Sequence, residues 1–429
     1  MQGIAYAELA AEFGTPLYVY DADVLARQYG SLRALLHPDL EIFYSLKANP
    51  NVSVTAALRA LGACAEVSSL TELLTARQAG VDGDDIVFVG PGKSRRELQA
   101  ALEENVHAIV CESVGELAVV DELARARNQV ARVMLRVNPG FTVRGSKLTM
   151  GGRPRQFGID EDLLRRPLGS YGAVRLTGMH VYLGTRILDE DVIAENVRRI
   201  FELAERHDVP LESVDVGGGL GVAYFDGERD LDPVVLTRLL NPLVDKFRAA
   251  HPDTRLIMEL GRYLVAPAGV YVVRVRDVKT SMGQRFAVTD GGTHHHMAAV
   301  GMGSFVKRNF PLRFLSAPAA DESQIWQVTG PLCTPNDVLG KNVLLPPVQV
   351  GDLIGVLRSG AYGPTASPGL FLGHGYPAEV LVLDGQAHLV READRPADLL
   401  RRQRLVRTLT AGLHQSGLHR RDDGGGPVR

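Results

Sequence analysis

The chain has 429 residues, of which 45% are hydrophobic and 23% charged, and its formal net charge is −3. This balance is typical of a globular protein and gives no electrostatic reason to expect nucleic acid or an anionic membrane as a partner. The length exceeds what one hydrophobic core usually spans, so more than one domain is expected.

Strand-like apolar runs recur along the first two thirds of the chain. The first, within 15-TPLYVYDADVL-25, predicts a strand that joins a later domain. Eight more runs cover residues 41–47, 63–69, 85–92, 107–113, 132–140, 176–184, 213–219 and 256–262. Between most of them, apolar residues at three- and four-residue spacings predict helices, two of which begin at Ser69 and Ser94. Eight alternating units over roughly 230 residues favour a closed (β/α)8 barrel over an open doubly wound sheet.

The pattern changes after about residue 270. Short apolar strands separated by turn residues occur at 270–280, 285–290, 352–358 and 378–390, which predicts a β-domain. The expected organisation is an N-terminal segment (1–30) that contributes to the β-domain, a barrel (31–270), the C-terminal β-domain itself (271–392) and a basic, partly disordered tail (393–429).

Several kinds of site and location are disfavoured by the sequence. No apolar run reaches the length of a membrane span, and the N-terminus lacks a basic segment followed by an apolar core, so a cytoplasmic protein is expected. The three cysteines, Cys64, Cys111 and Cys333, lie far apart and form no CxxC pair, which argues against a disulfide framework or a zinc cluster. The adjacent histidines 294–296 point to different faces of a strand or turn, so no metal site is predicted there.

Polar residues at the carboxyl ends of the barrel strands indicate the chemistry. Lys47 follows the first strand, the glycines 217–219 follow the seventh and Glu259 ends the eighth. Each feature alone is a weak signal. A desolvated lysine, a glycine turn able to approach a phosphate and a carboxylate at one barrel mouth are together what pyridoxal phosphate requires. For the free lysine amine, desolvation predicts a lowered pKa.

Seven motifs in this order make the chain resemble the fold-type III pyridoxal-phosphate decarboxylases, the family of diaminopimelate and ornithine decarboxylases. They are 44-YSLKANP-50, 179-MHVYLGTRI-187, 216-VGGGLG-221, 259-ELGR-262, 330-GPLCTPND-337, 360-GAYG-363 and 377-PAEVLV-382. The resemblance implies an amino-acid decarboxylase with a barrel followed by a β-domain. It also implies a head-to-tail homodimer whose active sites are shared between the subunits.

The same resemblance assigns roles to individual residues. Lys47 is implied to bind the cofactor covalently, and Cys333, donated by the partner subunit, is implied in protonating the reaction's carbanion. Glu259 matches the acid that keeps the pyridine nitrogen protonated, which argues for decarboxylation over racemisation. Tyr182 stands where many relatives stack a histidine on the cofactor, with Thr185 in place of a serine. The cofactor-binding residues implied are Lys47, His180, Tyr182, Thr185, Gly217, Gly218, Gly219, Glu259, Gly261, Arg262 and Tyr362.

Two departures from the family pattern concern the substrate. Diaminopimelate and ornithine enzymes carry an acidic residue directly after the cysteine, whereas this chain has Thr334. The arginine-containing stretch before PAEV is replaced by 371-FLGHGYP-377, so Thr334, Asp337 and His374 are the expected substrate contacts. A site without the acidic residue that would recognise a distal charge implies that the substrate has a different side chain.

The segments 150–160, 180–185, 290–296 and 333–341 resemble a specialised branch of the family in natural-product biosynthesis. That branch acts on a glutamyl group tethered to an acyl carrier protein, so the substrate is expected to be an amino acid or an aminoacyl carrier protein. A free diamino-acid decarboxylase for diaminopimelate, lysine or ornithine, an amino-acid racemase and a non-catalytic pyridoxal-phosphate carrier protein remain the alternatives.

Overall fold

The computed structural model describes residues 1–141, 148–149, 151–165, 171–207, 209–300, 308–317 and 322–406. Met150 of the branch-like segment and residues 407–429 of the predicted tail lie outside the described residues. The strands are β1 (Leu17–Asp21), β2 (Leu40–Ser45), β3 (Cys64–Val67), β4 (Ile86–Phe88), β5 (Ala108–Cys111), β6 (Ala131–Asn138), β7 (Leu148–Thr149), β8 (Ile159–Asp160), β9 (Val174–His180), β10 (Gly184–Thr185), β11 (Ser213–Gly218), β12 (Arg255–Leu260), β13 (Gly269–Ser281), β14 (Gln284–Thr289), β15 (Leu312–Phe314), β16 (Gln324–Thr329), β17 (Val338–Leu345), β18 (Leu353–Val356), β19 (Ala378–Leu383) and β20 (Gln386–Arg391).

The helices lie mostly between the barrel strands. They are α1 (Tyr6–Glu12), α2 (Ala22–Arg33), α3 (Val52–Ala60), α4 (Leu70–Gln78), α5 (Arg95–Glu103), α6 (Val114–Ala126), α7 (Glu190–Arg206), α8 (Pro233–Ala250), α9 (Arg262–Val265) and α10 (Pro396–Arg401). Ser69 and Ser94 cap α4 and α5 as predicted, because each hydroxyl accepts the backbone N–H of the glutamate three residues later. In the part of the chain that the structure describes, no helix combines the length and the apolarity that crossing a membrane requires.

The predicted barrel is confirmed. Eight parallel strands close on themselves through the pairing of β5 with β6, in the order β2, β3, β4, β5, β6, β9, β11 and β12. Side chains that alternate along these strands fill the interior with a separate apolar cluster that includes Phe43, Val87, Met134 and Ile257. Because all eight strands are parallel, their carboxyl ends meet at one mouth.

The second sheet is the predicted β-domain, and β1 lies within it between β13 and β19. Three of its strands, β15, β16 and β17, were absent from the sequence prediction. The domain boundaries at residues 30, 270 and 392 stay predictions.

Hydrogen bonds between the β-domain and the barrel mouth fix one loop over the strand ends. The Asn49 side chain donates to the Gly360 carbonyl at 3.0 Å, and the Tyr362 N–H donates to the Ala48 carbonyl at 2.7 Å. Nearby, the buried Glu379 of β19 accepts the Tyr20 hydroxyl at 2.8 Å. These contacts bring Tyr362 next to the turn that carries Lys47.

Candidate active site

Lys47 lies in a single 3₁₀ turn, Leu46–Ala48, immediately after β2. Its side chain is 36% exposed and forms part of the wall of a pocket at the barrel mouth. The Nζ atom lies 2.7 Å from Glu66 Oε2 and 5.6 Å from the centre of the Tyr182 ring.

The prediction that the pKa of Lys47 is lowered is wrong for the free amine. Burial does lower it, but the charges of Glu66 and Glu259 outweigh burial and hold the pKa above its ordinary value. Glu66 was not predicted from the sequence; it is completely buried in β3 and also accepts the Ser68 hydroxyl. A single glutamate within the apolar run 63-ACAEVSS-69 was the signal that could have found it.

Glu72 is close enough to Glu66 to be affected by its charge, and it accepts the Ser68 N–H at 2.7 Å. Burial first, and then the charge of Glu66, raise its pKa from an ordinary 4.5 to about 7. The folded chain therefore keeps this proton to a higher pH than the unfolded chain does. Raising the pH between these two values favours unfolding.

Glu72→Gln should remove this pH dependence. Above about pH 7 the variant should be more stable than the wild type by about 3 kcal/mol, whereas below about pH 4 the two should be equal. Urea unfolding of the cofactor-free proteins across this range measures the difference. Parallel stability curves for the two proteins at all pH values would contradict the assignment.

Glu259, in β12, is the acid of the site. Its Oε1 atom lies 3.1 Å from His180 Nε2, and both side chains are almost fully buried. Burial raises the pKa of Glu259, but the facing His180 and Lys47 lower it to about 2, so the group is ionised at neutral pH. Glu259 does not serve merely to pair with the nearby Arg262, because Glu259 contacts His180 and Arg262 donates to the Tyr224 hydroxyl at 3.1 Å.

The glycine turn meets the neighbouring backbone closely. Gly217 and Gly219 adopt φ of +66° and +85°, and a Cβ on Gly219 would lie 2.0 Å from the Gly184 carbonyl oxygen. Only glycine is compatible with both the conformation and the approach. The turn thereby presents its backbone at the strand ends next to Arg262.

Arg262 and Tyr362 stack at the same end of the site, with the guanidinium carbon 4.5 Å from the ring centre. The Nε atom of Arg262 is buried and has no hydrogen-bond partner in the structure. A buried, unpartnered charged donor is costly, so it indicates a missing anionic ligand.

Most residues expected to bind a cofactor surround one pocket. Its walls are formed by Ser45, Lys47, Tyr182, Thr185, Gly219, Leu220, Glu259, Gly261, Arg262 and Tyr362. His180 is not among these walls, because it lies behind Glu259 and contacts that carboxylate. In the part of the chain that the structure describes, the walls likewise do not include Cys333, Thr334, Asp337 or His374.

Pyridoxal phosphate fits the donors of this pocket. An accessible lysine amine, an ionised carboxylate and an unpartnered arginine donor beside a glycine turn match its aldehyde, its ring nitrogen and its phosphate. The Tyr182 ring supplies an aromatic surface near the amine. Its pKa is raised to about 12, chiefly by burial, so the phenol stays neutral.

The loop that carries Cys333 is held by Asp337. One carboxylate oxygen of Asp337 accepts the Thr293 N–H at 2.7 Å, and the other accepts the Leu332 N–H at 2.8 Å. Cys333 itself is exposed, and Thr334 is half-buried. In this chain Asp337 therefore orders the loop, and its role as a substrate contact stays a prediction.

The three adjacent histidines have different surroundings. His295 Nε2 lies 2.7 Å from the Gly375 carbonyl, and His296 Nε2 lies 2.8 Å from the Ser359 hydroxyl. His294 is buried, neither of its ring nitrogens has a partner in the structure, and its ring lies 4.5 Å from the exposed His374. His295 and His296 thus join segments of the β-domain.

Comparisons with known proteins agree with this site. The family model described as "Pyridoxal-dependent decarboxylase, pyridoxal binding domain" matches residues 22–266. The chain belongs to the pyridoxal-dependent decarboxylase family, the class of enzymes that the barrel, the β-domain and the site define.

The most similar relatives and structures lie within this family. An L-glutamyl-[BtrI acyl-carrier protein] decarboxylase from Niallia circulans is 40% identical over 408 residues, covering 92% of this chain and 95% of that protein. A diaminopimelate decarboxylase from Aquifex aeolicus is 29% identical, covering 92% and 93%. The crystal structure of diaminopimelate decarboxylase from M. jannaschii in co-complex with L-lysine matches with a TM-score of 0.85 and 27% identity, covering 94% and 95%.

Proposed function

We propose that this chain decarboxylates a glutamyl-type group carried on an acyl carrier protein, in natural-product biosynthesis. The observation that carries the proposal is the 40% identity to a decarboxylase named for such a substrate, against 29% to a diaminopimelate decarboxylase. Thr334 supports it, because a neutral residue beside Cys333 suits a distal acyl group better than a distal ammonium. A cytoplasmic location and a homodimeric assembly belong to the same proposal.

Bound pyridoxal phosphate supplies the sink for the electron pair that remains when CO2 departs. Lys47 would hold the cofactor through its Nζ amine, and Glu66 Oε2, 2.7 Å from Nζ, would pair with that nitrogen when it is free and protonated. Glu259, ionised and buried, would face the ring nitrogen as an anion and favour its protonated form.

The remaining groups of the pocket bind and shield the cofactor. Arg262 Nε and the glycine turn would hold the phosphate, and the Tyr182 ring in the pocket wall would shield the cofactor from water. Racemisation is disfavoured, because an ionised Glu259 maintains the full positive charge of the protonated ring.

The Cys333 loop explains why two copies of the chain are proposed. Cys333 is exposed and does not line the described Lys47 pocket of its own chain. In the proposed homodimer it enters the pocket of a second copy and returns a proton to the α-carbon. Each active site then needs residues from both subunits.

Mixed dimers should show this sharing. Lys47→Ala and Cys333→Ala homodimers should each be strongly impaired, whereas an equal mixture after subunit exchange should recover about a quarter of wild-type activity, from one intact site in half the dimers. Decarboxylation rates before and after exchange measure the recovery. A mixture no more active than the mean of its two parents would contradict a shared site.

The substrate proposal is tested by CO2 release from the cofactor-loaded enzyme. Glutamyl-loaded carrier protein should be turned over, whereas free glutamate, diaminopimelate, lysine and ornithine should react at least about a hundredfold more slowly in kcat/KM. Lys47→Ala is the background control. Rapid turnover of a free diamino acid would instead establish the alternative function, which the structural likeness to lysine-bound diaminopimelate decarboxylase favours.

A further inference from the structure

We propose that His180 and Asp215 are positioning residues that act on the cofactor through Glu259. His180 fixes the carboxylate of Glu259, and Asp215 holds a buried proton while it ties the same cluster to the glycine turn. This inference rests on the cofactor site and is independent of which substrate the enzyme takes.

The three side chains come from neighbouring barrel strands. His180 ends β9 and is paired in register with Asp215 of β11, while Glu259 lies on the adjacent β12. The nearest nitrogen and oxygen atoms of all three side chains lie within 4.8 Å of one another. Each residue is at most 2% exposed, so water does not compensate their charges.

His180 makes one described polar contact. Its Nε2 atom faces Glu259 Oε1 at 3.1 Å, and its buried Nδ1 atom has no partner in the structure. A ring whose single polar contact is the acid of the site, and which does not line the pocket, is placed to orient that acid. It is not placed to touch substrate.

Asp215 connects the acid to the phosphate end. Its Oδ1 atom accepts the Gly217 N–H at 2.8 Å, and its buried Oδ2 atom has no hydrogen-bond partner among the described residues. Two buried carboxyl groups this close together do not both ionise. On this proposal the proton of the pair lies on Asp215 Oδ2, because Oδ1 already accepts the Gly217 N–H.

The charges around the cluster decide which acid is protonated. Burial and the neighbouring Glu259 and Glu66 raise the pKa of Asp215 well above its usual range. His180, Lys47 and Arg136 counter the burial of Glu259 and lower its pKa. Glu259 thus stays an anion toward the pocket, and Asp215 stays neutral behind it.

Asparagine is a close mimic of a protonated aspartate, which gives the first half of the test. Asp215→Asn keeps the acceptor for Gly217 and stays neutral, so the pyridoxal-phosphate dissociation constant and the absorption spectrum of the bound cofactor should stay within about twofold and unshifted. Asp215→Leu, which removes the acceptor, should weaken cofactor binding about tenfold or more. A strong loss in Asp215→Asn would show that Asp215 is ionised and would overturn the proposal.

The second half of the test compares two replacements of His180. Glutamine places a donor near the position of Nε2, so His180→Gln should retain the cofactor spectrum and its pH dependence. His180→Phe should shift that pH dependence and raise the dissociation constant about tenfold or more. If His180→Phe does not fold, as judged by circular dichroism, His180→Asn, whose amide is too short to reach Glu259, provides the same comparison.

If the His180 variants without the donor kept the cofactor spectrum and the cofactor affinity of the wild type, the proposed role of His180 would be wrong. A histidine with two carboxylates also resembles a divalent-cation site, which would require Asp215 to be ionised. A chelator should therefore leave the cofactor dissociation constant of the wild type unchanged. A fall in cofactor affinity on chelation would likewise overturn the proposal.

Discussion

Replacing Lys47 with alanine should abolish covalent attachment of pyridoxal phosphate and lower the decarboxylation rate by about a thousandfold or more. The substitution removes one amine that has two roles, because it holds the cofactor and can also carry a proton near the reacting atoms. A well-placed proton-transfer group alone contributes about 10²–10⁴-fold. Borohydride treatment followed by mass spectrometry detects the covalent adduct, and CO2 release gives the rate.

Lys93 provides a matched control for the same change. It is likewise paired with a glutamate, with its Nζ atom 3.2 Å from Glu116, but its side chain is buried and lies outside the walls of the cofactor pocket. Lys93→Ala should reduce stability by leaving Glu116 unpaired while the borohydride-trapped adduct still forms. An adduct that persists in Lys47→Ala would assign the covalent role to a different lysine.

The barrel could be predicted from the sequence because its strands are buried on both faces. Runs such as the one before Lys47 are almost continuously apolar, and two of the helices between them, α4 and α5, begin with capping serines. The β-domain was only partly predictable. The strands β16 and β17 are half-exposed and carry polar residues such as Gln324, Lys341 and Asn342, so they lack a continuous apolar run.

The residues that line the pocket could be predicted from their positions at the strand ends, but the buried residues that surround and support them could not. Glu66, Asp215 and Arg136 each appear in the sequence as a polar residue with apolar neighbours on both sides, a pattern that alone does not say what the residue contacts. Arg136 is paired with the buried Glu112 at 2.8 Å, a contact that depends on the pairing of β5 with β6. The lowered pKa expected for Lys47 was wrong for the same reason, because the carboxylate that opposes desolvation comes from the next strand.

Cys333 and its neighbours illustrate a different limit. Resemblance placed them in the active site, whereas the described fold of one chain places Cys333 on the surface, on a loop ordered by Asp337. A residue that completes a site in another copy carries no signature of that role in the packing of its own chain. The mixed-dimer experiment, rather than the fold, therefore decides its assignment.

Glu259→Gln should reduce kcat by about 10²–10³-fold while the enzyme still binds pyridoxal phosphate. Glutamine keeps the shape of the side chain but loses the charge, so the ring nitrogen is no longer held protonated and the sink for the electron pair weakens. The measurements are kcat for CO2 release and the absorption spectrum of the bound cofactor.

Glu379→Gln separates this electrostatic effect from the general cost of changing a buried acid. Glu379 is as buried as Glu259, at 3% against 2% exposed. It accepts a hydrogen bond from the Tyr20 hydroxyl within the β-domain sheet, however, and is not among the residues that line the pocket. Glu379→Gln should therefore alter stability and leave kcat within about threefold. If Glu259→Gln kept wild-type kcat, the carboxylate would not act on the ring nitrogen. The preference for decarboxylation over racemisation would then need another physical origin.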